Sequence, residues 1–173
     1  MNNFTDDNVW QRSVRDAVLV PQFYEKYATD GRYVLVDKGR FADIIQQRLD
    51  VDTIMQSKDG AVVAIEEKIV RWPGYNYTAL CLETESCTVK GHESDGWMHF
   101  CEADYLLYCL QQQDGGLKCY LINFAELYKW FWPVEKSLNV FEMKTQNRTR
   151  GRLAPIADVR KHCGVAEYNL VAA

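Results

Sequence analysis

Val51-Asp52-Thr53-Ile54-Met55-Gln56-Ser57-Lys58-Asp59-Gly60-Ala61-Val62-Val63-Ala64-Ile65-Glu66-Glu67-Lys68 decides how this chain is read. Two runs rich in β-branched and apolar residues flank a short polar turn, the pattern of a β-hairpin. Lys58-Asp59-Gly60 makes a three-residue loop if Gly60 takes the left-handed conformation open to glycine. Ser57 then opposes Ala61 and, counting back, Asp52 opposes Glu66. Glu66 and Lys68 are two apart and share a strand face, with Lys68 diagonal to Asp52. A two-residue Asp59-Gly60 turn competes. It pairs Lys58 with Ala61, sets Asp52 opposite Glu67 and sends Lys68 to the other face, because a one-residue slip exchanges faces. The three-residue turn is preferred because it gathers all three charged groups.

Charged side chains are rare in buried strands unless paired or bound to metal. Two carboxylates directly opposed on a sheet repel, and without a cation one of them tends to take up a proton. A divalent cation removes the conflict. Mg²⁺ (or Mn²⁺) prefers oxygen ligands and is often held by one or two carboxylates plus water and phosphate. Such an ion polarises a phosphoryl oxygen and lowers the pKa of bound water. Lys68 beside it is suited to orienting the water or stabilising developing charge. Asp52, Glu66 and Lys68 are therefore candidate catalytic residues for phosphodiester hydrolysis, with Asp52 and Glu66 as metal ligands. The plainer reading is an ion-paired strand end.

Outward from the hairpin, the chain alternates helical and strand patterns. Asp6 to Tyr27 reads as a helical region with Val14, Val18 and Leu19 on one side, bent or split by Pro21. Tyr33 to Val36 reads as a strand and Phe41 to Leu49 as a helix. Pro73-Gly74 marks a turn, and Thr78 to Glu83 a strand that would neighbour the Glu66 strand. Residues 86–99 read as a loop. Ala103 to Leu110 and Leu117 to Phe124 read as strands joined at Asp114-Gly115-Gly116. Ala125 to Trp132 reads as a helix stopped by Pro133, Val140 to Met143 as a short strand, Thr145 to Arg152 as a polar basic stretch, and Ile156 to Cys163 as a last helix. The expected fold is α/β, a mixed central β-sheet flanked by helices, in one domain spanning 1–173.

Length and composition agree with that. With 173 residues, 47% apolar and 25% charged, the chain can bury a core without staples. The polar, acidic start and the lack of a long apolar run predict a cytoplasmic protein with no membrane span. The six cysteines (Cys81, Cys87, Cys101, Cys109, Cys119 and Cys163) then read as reduced thiols. Cys81, Cys87, His92, His99 and Cys101 contain no CxxC pair, so a structural zinc site is disfavoured. No GxxxxGK[ST] or GxGxxG element is present, which argues against a nucleotide-driven motor or a dinucleotide enzyme. The net charge of −4 argues against simple coating of nucleic acid, though not against a nuclease with a local basic patch.

Asp52 followed across a hairpin by Glu66-Glu67-Lys68 resembles the PD-(D/E)XK nuclease superfamily, and the chain is similar in tone to small phage or mobile-element members. The resemblance covers about residues 51–70; beyond them only the element order matches. It implies a restriction-endonuclease-like core, metal binding by Asp52 and Glu66, catalysis with Lys68, and DNA as substrate. Val51 stands where the family name has proline, and a strand follows the tripeptide where many members have a helix. An acidic residue on the first helix of many members makes Glu25 a further candidate ligand, and Glu83 is another. Arg71, Arg148, Arg150 and Arg152 are candidate nucleic-acid contacts, since the guanidinium fork suits phosphate. Trp72, Tyr75 and Tyr77 could stack on bases. Cutting two strands would suit a homodimer. The alternative on the same fold is a non-catalytic module that binds nucleic acid or a partner protein.

Overall fold

The hairpin adopts the three-residue register. Ser57 donates its N–H to the Ala61 carbonyl at 2.8 Å, and Gly60 donates to Ser57 at 3.0 Å with φ at 88°. Thr53 faces Ile65 and Gln56 faces Val62 across the pair. The ladder ends at Thr53, and the Asp52 N–H also donates to the Ile65 carbonyl at 3.1 Å.

The computed structural model describes residues 4–26, 33–35, 51–71, 78–143 and 148–172. In chain order the strands are β1 (Tyr33–Leu35), β2 (Thr53–Ser57), β3 (Val62–Val70), β4 (Ala79–Cys87), β5 (Ser94–Asp95), β6 (Tyr105–Gln111), β7 (Leu117–Asn123), β8 (Asn139–Glu142), β9 (Arg150–Pro155) and β10 (Val165–Leu170). The helices are α1 (Phe4–Val14), which runs on as a wider π-type coil over Arg15–Tyr24, α2 (Phe124–Val134) and α3 (Ile156–His162). The fold is mixed α/β. Its central sheet has the order β1-β2-β3-β6-β7-β10, and a second sheet has the order β5-β4-β9-β8. In the central sheet only β3 and β6 run parallel; every other pairing is antiparallel.

Each face of the central sheet buries a core. On one side Ile54, Ala64, Leu106, Tyr108 and Ile122 pack against Leu80 and Leu82 of β4, Ala154 of β9, Phe131 of α2 and Val159 of α3. On the other, Met55, Ile65, Ile69, Leu107 and Leu117 pack against Val18, Leu19 and Phe23 of the N-terminal helix. Strand alternation therefore sends Glu66 and Lys68, in step with Ala64, to the first side. Glu67, in step with Ile65 and Ile69, goes to the second.

Several sequence expectations change. The strand after the tripeptide exists and runs to Cys87, but it leaves the central sheet and pairs with β5 and β9, so it does not neighbour β3. The loop expected over 86–99 contains β5 and a 3₁₀ turn at Trp97–His99. Pro133 lies inside the last turn of α2, and Pro21 inside the wide coil, where the helix carries through. The basic stretch ends in a strand, β9, and the chain closes on a further strand, β10, that pairs with β7. The expected helix at Phe41–Leu49, the Pro73-Gly74 turn, and Trp72, Tyr75 and Tyr77 lie outside the described residues. No helix among the described residues is long and apolar enough to cross a membrane.

Candidate active site

Asp52, Glu66 and Lys68 meet at one place. The paired register ends at Thr53 and Ile65, one step short of Asp52 and Glu66, whose two carboxyl groups are in side-chain hydrogen-bonding contact. Glu66 is buried, at 4% exposure, and its Oε1 accepts from the Lys68 ammonium. Asp52 lies at the surface, so the cluster opens to solvent on that side. The Glu67 N–H donates to Asp52 Oδ2 at 2.8 Å and fixes that oxygen. Desolvation pushes the Asp52 carboxyl above its ordinary range. The Glu67 charge adds to this, while Lys68, the Glu67 N–H and the Glu66 contact oppose it. Burial disfavours the Lys68 ammonium, but the charge and hydrogen bond of Glu66, then Asp52 and Glu83, outweigh it and hold its pKa above the usual value. Lys68 is thus a cation at neutral pH.

Two groups from the second sheet and its loop complete the surroundings. Glu83 lies near enough to act on Lys68 electrostatically, although its own strand is in the other sheet. The Trp97 ring lies under the Lys68 ammonium, with Nζ 5.0 Å from the ring centroid. Sequence reading missed Trp97, because a loop tryptophan 29 residues from Lys68 carries no local sign of that contact.

Glu67 has a separate role on the opposite face. It is 8% exposed and accepts from Arg15 Nε at 2.9 Å, Arg15 Nη2 at 3.3 Å, Tyr24 Oη at 2.6 Å and Thr53 Oγ1. Arg15 Nη2 also donates to Thr53 Oγ1 at 2.8 Å. Arg15 and Tyr24 are nine positions apart. In an α-helix of 3.6 residues per turn that spacing puts them on opposite sides. A π-type coil, with about 4.4 residues per turn, returns them to the same side. The wide coil at Arg15–Tyr24 and the two bonds to Glu67 are therefore one feature. Strand alternation was the available signal, since adjacent residues of a strand face opposite ways.

The other candidates are dispersed. Glu25 is exposed at the end of the N-terminal coil. Arg150 pairs with Glu85 at 3.4 Å and Glu142 at 3.9 Å, and Arg152 pairs with Glu135. Arg148 is exposed with φ at 50°. Arg71 is at the surface, its guanidinium 5.2 Å from the Trp10 ring centroid. All six cysteines are free thiols. Among the described residues no group of three or more His, Cys, Asp or Glu converges as a metal cage. The donor set at Asp52 and Glu66 is all oxygen and two carboxylates strong, which fits a cation that keeps water ligands rather than one held wholly by protein. Comparison with known protein families, curated proteins and solved structures finds no match to this chain.

Proposed function

We propose that the protein is a Mg²⁺- or Mn²⁺-dependent nuclease of PD-(D/E)XK type that hydrolyses phosphodiester bonds in DNA. The supporting observation is the contact between the Asp52 and Glu66 carboxyl groups at the open end of the hairpin, with Lys68 bonded to Glu66. Asp52 and Glu66 would hold the metal. When bound, the ion would supply Lewis-acid polarisation of the phosphoryl oxygen and a more acidic water. The protein's own groups do the rest. Glu67 N–H holds one Asp52 oxygen in place, and buried Glu66 holds Lys68. Lys68, kept protonated, places positive charge where negative charge develops on the phosphate. Arg148, at the surface, is better placed for backbone phosphates than Arg150 and Arg152, which are engaged by carboxylates.

Single-stranded, duplex and branched DNA incubated with Mg²⁺ or Mn²⁺ tests this. Lys68→Ala is expected to lose about a hundredfold or more in rate. Mn²⁺ binding by calorimetry is expected to vanish in Asp52→Ala. Cleavage by Lys68→Ala at the wild-type rate would sink the mechanism. The second reading, a binding module on the same fold, draws on the direct Lys68–Glu66 ion pair, which engages one of the two acidic side chains. It predicts DNA or partner-protein binding that is indifferent to divalent metal.

A further inference from the structure

We infer that Trp97 is the positioning residue of the Lys68 ammonium, and that Gly96 is the contact that seats it. The inference rests on the Asp52–Glu66–Lys68 reading and adds a group from outside the hairpin. Lys68 has acceptors on several sides: Glu66 directly, with Asp52 and Glu83 in range. An ammonium carries three donors on a flexible stem, so the bond to Glu66 anchors it without by itself fixing its orientation. The Trp97 face, 5.0 Å from Nζ, gives it one, since the electron-rich face of an indole attracts a cation.

The ring is itself held firmly. Trp97 is 6% exposed, packs 6.1 Å from Phe124 of α2, and begins a turn closed by Cys101 N–H to its carbonyl at 2.9 Å. Just before it, the Gly96 N–H donates to the Thr84 carbonyl at 2.9 Å. Gly96 has φ −83° and ψ 166°, a conformation any residue adopts, so its backbone does not call for glycine. Space does. A Cβ there would lie 2.6 Å from the Glu83 carbonyl oxygen and 2.8 Å from Glu83 Cγ. The loop therefore rests directly on Glu83, and one contact sets both Trp97 and Glu83 around Lys68.

The test is nuclear magnetic resonance on protein labelled in lysine, with Lys68→Arg identifying the signal. In the wild type the Lys68 ε-methylene is expected upfield of the other lysines, from the ring current, and ordered. In Trp97→Leu it is expected to become mobile, while Trp97→Phe restores order. Gly96→Ala is expected to move the signal toward that of the other lysines. In the nuclease assay, Trp97→Leu is expected to lower kcat about tenfold or more with KM little changed, and Trp97→Phe to recover most of it. An unshifted Lys68 signal in the wild type, which needs no variant to fold, overturns the inference. So does Lys68 staying as ordered in Trp97→Leu as in the wild type. If the signals behave as expected while no DNA is cut, the nuclease reading fails and the placement of Lys68 by Trp97 stands.

Discussion

Replacing Arg15 by methionine tests the buried network on the far side of the sheet. Glu67 accepts four hydrogen bonds from described residues, and Arg15 supplies two of them together with an ion pair. Breaking a buried pair by removing one partner costs about 3–5 kcal/mol when nothing else compensates. Here Tyr24 and Thr53 stay bonded to Glu67, and the Arg15 side chain is 26% exposed, so solvent already screens part of the attraction. The expected loss is therefore about 2–3 kcal/mol, which for a chain of this length lowers Tm by about 4–10 °C. Glu67→Gln alone should cost less, because an amide can still accept from Tyr24 and Thr53. The double variant Arg15→Met/Glu67→Gln should be more stable than the sum of the two losses predicts, by about 1–2 kcal/mol. Urea and thermal unfolding followed by circular dichroism measure all four proteins. Losses that simply add, within about 0.5 kcal/mol, would refute the claim that these groups form one energetic unit.

Two further outcomes are expected. The Asp52 carboxyl, raised mainly by desolvation, is more basic folded than unfolded, so its favourable contribution is complete at acid pH and is lost as pH rises through the folded pKa. Asp52→Asn, measured with a chelator present, should therefore be more stable than wild type at pH 7 by at most about 1 kcal/mol, given its solvent contact, with the advantage fading toward pH 4; an advantage that grows on acidification would contradict this. At the hairpin turn, a Cβ on Gly60 meets nothing within 4 Å, so Gly60→Ala should cost only the strain of φ at 88°, about 1 kcal/mol. A loss several times larger would mean the turn does more than set the register.

The residues that specify the hairpin lie within one turn of one another, and that part of the structure was legible in the sequence. Strict two-residue alternation and a glycine at position 60 left two turns open, and the three-residue one, with Gly60 at positive φ, is the turn the fold adopts. The same logic located β6, β7 and their turn, where Gln112 and Gly116 close another three-residue loop with Gly115 at φ 88°. Other elements take their form from partners far along the chain. β9 reads as a basic stretch because Arg150 and Arg152 satisfy carboxylates from β4, β8 and the end of α2 rather than filling a core. β10 is a short run that follows directly on α3 and is a strand because β7 offers it an edge. The π-type coil exists where Arg15 and Tyr24 both reach Glu67, across 52 and 43 residues of sequence. The sequence by itself located the hairpin and narrowed its register to two turns. Only the tertiary structure decided that β4 leaves for a second sheet, that Glu67 anchors the N-terminal helix, and that Trp97 lies under Lys68. Turn geometry and alternation act between neighbouring residues and leave a local pattern, whereas burial and charge pairing act between residues that meet only once the chain has folded.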